Sequence, residues 1–146
     1  MLRGLCATDN DTGSLILRVI LGGVFLPHGA QKALGWFGGH GLAPTVDFFN
    51  QAFGVPAPLA YLVVAAEFLG AIALILGLLT RFAALGIFAV MAGAIYLVHW
   101  QNGFFMNWAG NQAGEGIEYH LLVMGIALAL IVRGGGRASL DRLLSR

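Results

Sequence analysis

The chain has 146 residues, 58% of them hydrophobic and only 10% charged, with a formal net charge of +1 and a mean hydropathy of +0.81. A water-soluble domain of this length needs far more charge to cover its surface, so the composition excludes one and indicates an integral membrane protein. The single cysteine, Cys6, excludes an intramolecular disulfide, a Cys-X-X-Cys redox pair and an iron–sulfur cluster held by this chain alone.

Ahead of the first apolar run stand Asp9 and Asp11, and no small-residue cleavage pattern follows before His28 and Lys32, so the run is expected to remain as a helix and not to be cleaved as a signal. Cys6, in Arg3-Gly4-Leu5-Cys6, is expected to be a free thiol on a short tail. The first span covers Leu15 to Leu34. Within it Arg18, Gly22, Phe25, Gly29 and Lys32 recur at helical spacing and form one stripe that should face protein. His28 lies on the flank of that face, and Pro27 before it predicts a kink. Arg18 has two readings: snorkelling to the inner headgroups, or a partner inside the protein.

Gly38-Gly39-His40-Gly41 then reads as a flexible loop, with His40 solvated. Pro44 opens a short helix carrying Phe48, Phe49 and Phe53 before Gly54 and Pro56 stop it, expected to lie in the interface over the outer mouth with Asp47 and Asn50 toward water.

The second span, Leu59 to Leu79, contains Glu67. An ionised carboxylate inside a membrane helix costs roughly 2.5–3.5 kcal/mol even on the lenient insertion scale, so Glu67 should face a protein interior or wet cavity and have a partner. It borders a small-residue seam, Ala66, Gly70, Ala73 and Gly77, of the kind that lets backbones approach closely. Little more than Thr80-Arg81 leads into the third span, Phe82 to Trp100, where Gly86, Ala89 and Gly93 repeat the device and predict a tight antiparallel hairpin. The loop from Gln101 to Gly116 carries no Lys or Arg and should fold back over the bundle. The fourth span, Ile117 to Val132, is short, about 16 residues against the ~20 usually needed. Glu115 and Glu118 are expected to share a face at its start, with His120 turned the other way. Beyond Gly134-Gly135-Gly136, Ser139 can cap a tail helix.

The predicted fold is all-α: one integral membrane four-helix bundle over residues 1–146, with spans at about 15–34, 59–79, 82–100 and 117–132. With four spans the termini share a side, which collects Arg3, Arg18, Arg81, Arg133, Arg137, Arg142 and Arg146 against Lys32 opposite, so both termini are expected in the cytoplasm. Trp36, Trp100 and Trp108 then fall at the outer boundary. The basic tail reads as a lipid anchor and not a nucleic-acid site.

At ~1.5 Å per helical residue, Glu67 lies about 12 Å below the outer boundary and His28 about 9 Å, with His99, Lys32, Glu118 and His120 nearer the surface. Each span therefore brings an ionisable group to one outward-opening cavity. Three uses follow. A quinone or quinol headgroup suits His28 and Glu67, which can hydrogen-bond two ring oxygens and exchange protons with them. A haem or metal site would use His28 and His99 as ligands, although no spacing motif supports a metal set. A purely structural role would bind Glu67 to His28 or Lys32 to fix helix pairing, as in a scaffold or assembly factor.

Arg18-Val19-Ile20-Leu21-Gly22, His28-Gly29-x-x-Lys32, Phe53-Gly54-Val55-Pro56 and Glu67-x-x-Gly70 running to Gly77-Leu78-Leu79-Thr80-Arg81-x-Ala83-Ala84 together resemble the DoxX family of small bacterial membrane proteins, from about Leu15 to Val132. That family is similar to the membrane subunits of thiosulfate:quinone oxidoreductase. The resemblance implies a bacterial inner-membrane protein acting at the quinone pool as a quinone-interacting subunit of a membrane oxidoreductase complex, with His28, Lys32 and Glu67 as recurring polar positions and Arg18 and Arg81 as recurring arginines. The expected catalytic set is Glu67, His28 and Lys32; His28, Glu67, His99 and Glu118 are expected to bind the quinone. Lipid, quinone and an oxidoreductase subunit are the expected partners, with homo-oligomers left open. No nucleotide or haem-attachment motif is present, so electrons must come from a partner.

Overall fold

The structure, a computed structural model, describes Gly4 and residues 6–145; Arg3 and Arg146, counted above among the inner-side cations, lie outside the described residues. The described residues are helical, without strands. Helix α1 spans Thr12–Leu34, α2 Leu42–Phe53, α3 Ala57–Leu76, α4 Thr80–Ala94, α5 Glu118–Arg133 and α6 Leu140–Leu144. A π-helical turn, Ile95–His99, and a 3-10 turn, Trp100–Asn102, prolong α4. Thr12–Leu34, Ala57–Leu76 and Thr80–Asn102 are each long and apolar enough to cross a membrane.

Local chemistry sets these ends. Asp11 caps α1, its carboxylate accepting from Gly13 N at 3.2 Å and Ser14 N at 2.9 Å, which places the start before the apolar run. Pro27 lies inside α1 without ending it. Helix α3 stops at Leu76, short of the predicted Leu79, because Gly77 turns left-handed (φ 66°) and Leu78 N bonds back to Ala73 O at 2.9 Å.

The α1 stripe packs as its spacing requires: Arg18, Gly22, Phe25 and Gly29 are all buried. A Cβ on Gly22 would meet Ala71 O at 2.7 Å, so α1 and α3 touch backbone to backbone. The α3 seam meets α4, where a Cβ on Gly86 would lie 3.3 Å from Ala66 Cβ. Gly93, by contrast, faces open space and belongs to no seam. Leu21, Phe25, Ala71, Leu74, Ala84, Ile87, Val123, Ala127 and Leu130 form the shared core of α1, α3, α4 and α5.

The end of the bundle that holds both chain ends is stitched by two buried charges. Arg18 does not snorkel: it is 1% exposed and its guanidinium donates to the carbonyls of Leu74 (3.0 Å), Ile75, Gly135 (2.8 Å), Arg137 (3.2 Å) and Ala138 (2.7 Å). Two of those acceptors are last-turn carbonyls of α3, which lack helical partners and carry the negative end of the helix dipole. Asp141, on α6, accepts from Leu79 N at 2.6 Å and Thr80 N at 2.8 Å and so caps α4 across the chain. Cys6 is a free thiol, as expected, but it is buried against Asp141 and not exposed on a tail; burial and the adjacent carboxylate push its thiol pKa up, which disfavours the reactive thiolate. Ser139 caps α6 as its position predicts, accepting from Arg142 N at 3.2 Å.

Candidate functional site

Glu67 lies on the buried face of α3 with Ala60, Val64, Ala71 and Leu74. Its partner is Lys32, whose Nζ donates to Oε2. The carboxylate side chain is 6% exposed and the lysine 29%, so the acid depends on this contact far more than the base does. The pairing follows from Gly29, one turn earlier on α1: a Cβ there would meet Phe68 Cα at 2.5 Å and the Glu67 carbonyl carbon at 2.8 Å. Only glycine lets α1 lie on the α3 backbone at that height, and Lys32 then ends within reach of Glu67.

Beside Lys32 a cavity of about 350 Å³ opens between the end of α1, the Gly38-Gly39-His40 turn and α2. Gln31, Lys32, His40 and Thr45 supply its polar atoms, and Pro44, Phe48 and Phe49 its apolar wall. His40 is an exposed loop residue, as read from sequence, and also lines the mouth of this cavity. Its volume matches the smaller ligand clefts of proteins.

A second polar group forms where α4 meets α5. His99, closing the π-turn, has Nδ1 2.8 Å from Glu115 O, and its ring centroid lies 4.1 Å from that of His120 with the planes at 41°. His120 is 5% exposed and its Nδ1 has no hydrogen-bond partner among the described residues. His120 is thus turned into the bundle, on the side of α5 away from Glu118. Glu115 precedes α5, and its carboxylate accepts from Asn107 N at 2.6 Å, so it shares no helical face with Glu118.

The expected site residues are thus only partly brought together. Glu67 and Lys32 meet directly. His28 is exposed on the flank of α1, its ring 6.4 Å from that of Phe25, and no hydrogen bond joins it to Glu67 among the described residues. His99 stacks on His120, so the fold does not pre-form the expected haem or metal ligand pair of His28 and His99. Glu118 is part-buried at the start of α5, where its backbone N–H reaches Phe104 O at 2.9 Å. The place of His120 had a signal in the sequence, since His120, Val123, Ala127 and Leu130 recur at helical spacing and are the buried face of α5.

Helices of this length and apolarity, holding an acid–lysine pair in their interior, define a multi-pass membrane protein. The DoxX family pattern matches residues 13–100, and the chain belongs to the DoxX family. It is similar to a Bacillus subtilis (strain 168) protein named "Putative oxidoreductase CatD", 33% identical over 82% of this chain and 79% of the relative. It is also similar to the Escherichia coli (strain K12) "Inner membrane protein YqjF", 29% identical over 93% of this chain and 95% of that protein. A Haemophilus influenzae protein described as uncharacterized is 32% identical over 90% of this chain and 83% of its own length. No solved structure matches the chain. Family and spans together make this a multi-pass inner-membrane protein.

Proposed function

We propose that this protein binds a quinone or quinol headgroup in the cavity beside Lys32 and works as the membrane subunit of an oxidoreductase whose partner delivers the electrons. The observation that carries the reading is that Lys32 lines the cavity while buried Glu67 holds its ammonium in place. The residues suit such a ring: Phe48 and Phe49 offer faces to stack on, and Lys32, Gln31 and His40 offer donors to carbonyl oxygens. A bound quinone supplies two-electron, two-proton redox chemistry. Lys32 orients the headgroup and favours its anionic forms; Glu67 holds the Lys32 side chain in place and is the nearest carboxylate for proton exchange. His28, on the exposed flank of α1, is available to the partner subunit. The oxidoreductase name of CatD agrees with this class.

The same reading places α5 as the fourth span of a single membrane domain, both termini in the cytoplasm and α2 in the outer interface. Arg18, Arg81, Arg133, Arg137 and Arg142 then lie on the inner side. Binding of a menaquinone or ubiquinone analogue to the purified protein in nanodiscs tests it. Lys32→Met and Phe49→Ala should each weaken binding at least tenfold; affinities equal to wild type in both would end the proposal.

A second reading is favoured by the directness of the Lys32–Glu67 contact: a scaffold in which the pair only locks α1 to α3. It expects Lys32→Met to lower stability while the analogue binds neither variant nor wild type.

A further inference from the structure

The His99–His120 pair is left unused by the quinone reading. Among the described residues His120 Nδ1 is buried and makes no hydrogen bond of ordinary geometry, the Gly116 backbone being the polar group beside its ring. His99 Nδ1 lies 2.8 Å from a backbone carbonyl, which can only accept, so Nδ1 bears the proton and the Nε2 lone pair is free. That backbone contact is the one by which metal-bound histidines are usually held in orientation and tautomer. The two rings come from different elements, with their centroids 4.1 Å apart and their planes inclined at 41°, a separation that two imidazoles bound to one ion can adopt. A π-turn, a costly local geometry found often at functional sites, delivers His99 to this place.

We propose that His99 and His120 form an open, two-imidazole binding site for a late first-row divalent metal ion at the loop end of α4 and α5. Among the described residues no cluster of three or more His, Cys, Asp or Glu side chains gathers around a common point. The protein thus supplies two nitrogens, and water or an external ligand fills the other positions. Neutral imidazole nitrogens select Cu(II), Ni(II) or Zn(II) over Mg(II) or Ca(II), and Cu(II) binds tightest by the general order of affinities. The ion would join the π-turn of α4 to the first turn of α5.

The test uses the full chain, purified in detergent with a tag that contains no histidine, stripped with a chelator and titrated with Cu(II). Electron paramagnetic resonance of the copper counts coordinated imidazole nitrogens, and chelator competition gives the affinity. The wild type should bind one equivalent with two nitrogens coupled. His99→Gln and His120→Asn should each leave one nitrogen and weaken binding at least tenfold, whereas His28→Ala should change neither. Because His99 is only part-buried, His99→Gln carries the test even where His120→Asn fails to fold. Absence of a stoichiometric copper signal in the wild type, or a two-nitrogen spectrum that persists in His99→Gln, would overturn the site.

Discussion

Removing Lys32 and removing the charge of Glu67 should have very unequal effects. In Lys32→Met the carboxylate stays 6% exposed with no cation beside it. Breaking a buried pair from one side typically costs about 3–5 kcal/mol; because Lys32 itself is 29% exposed and water reaches the pair from that side, about 2–3 kcal/mol is the better expectation here. In Glu67→Gln the amide oxygen still accepts from Lys32, and the lysine can turn toward water along its flexible stem, so about 1 kcal/mol should be lost. In the double variant no charge is left unpaired, and its loss should fall below that of Lys32→Met alone, with a coupling of about 1–2 kcal/mol. Reversible unfolding of the four proteins in mixed micelles measures the cycle. Equal losses in the two single variants, or additive losses in the double, would refute the view that buried Glu67 depends on its contact with Lys32.

Arg18→Lys keeps the charge but offers three donors where five carbonyls are now served, so it should cost about 3 kcal/mol, on the order of a hundredfold in the folding equilibrium; a change under 0.5 kcal/mol in the same assay would contradict the carbonyl cage. Gly29→Ala should push α1 off α3 at Glu67-Phe68, costing roughly 1–3 kcal/mol and opening the Lys32–Glu67 contact, whereas Gly93→Ala, facing open space, should be silent; equal thermal stability of the two would refute the backbone contact. The bonds from Ser14 and Gly13, aided by Arg133, hold the Asp11 carboxyl below the usual carboxylate range. A folded pKa below the unfolded one means that this contribution is present above about pH 4 and is lost as the pH falls through the folded value. Asp11→Asn should therefore flatten the acid limb of a stability–pH curve and leave its shape near neutrality unchanged.

Much of the fold was legible because hydropathy and helical period are written residue by residue. The α1 stripe from Arg18 to Lys32 and the small-residue seam of α3 both became interfaces, since small residues at helical spacing permit close approach whatever the partner. The need of Glu67 for a partner was legible too, because the cost of a bare carboxylate does not depend on its neighbours. The choice among Lys32 and His28 was not: both sit on one side of α1, about 40° apart around the helix, so a small rotation decides which meets α3. Gly29 sets that rotation through contact with a backbone that has no sequence signature.

The interactions that the sequence concealed share one cause. Arg18 is held by five carbonyl oxygens and Asp141 by two backbone N–H groups, and every residue carries such groups, so no residue type marks them. Composition and periodicity by themselves determined the membrane class, the apolar helices and the faces they turn inward, because these follow from transfer free energy and helix geometry alone. Only the tertiary structure decided that Lys32 rather than His28 answers Glu67, that His120 turns in to meet His99, and that a cavity lies under α2. Each of those depends on how helices distant in sequence are rotated against one another, and that rotation is set by packing, which no single segment contains.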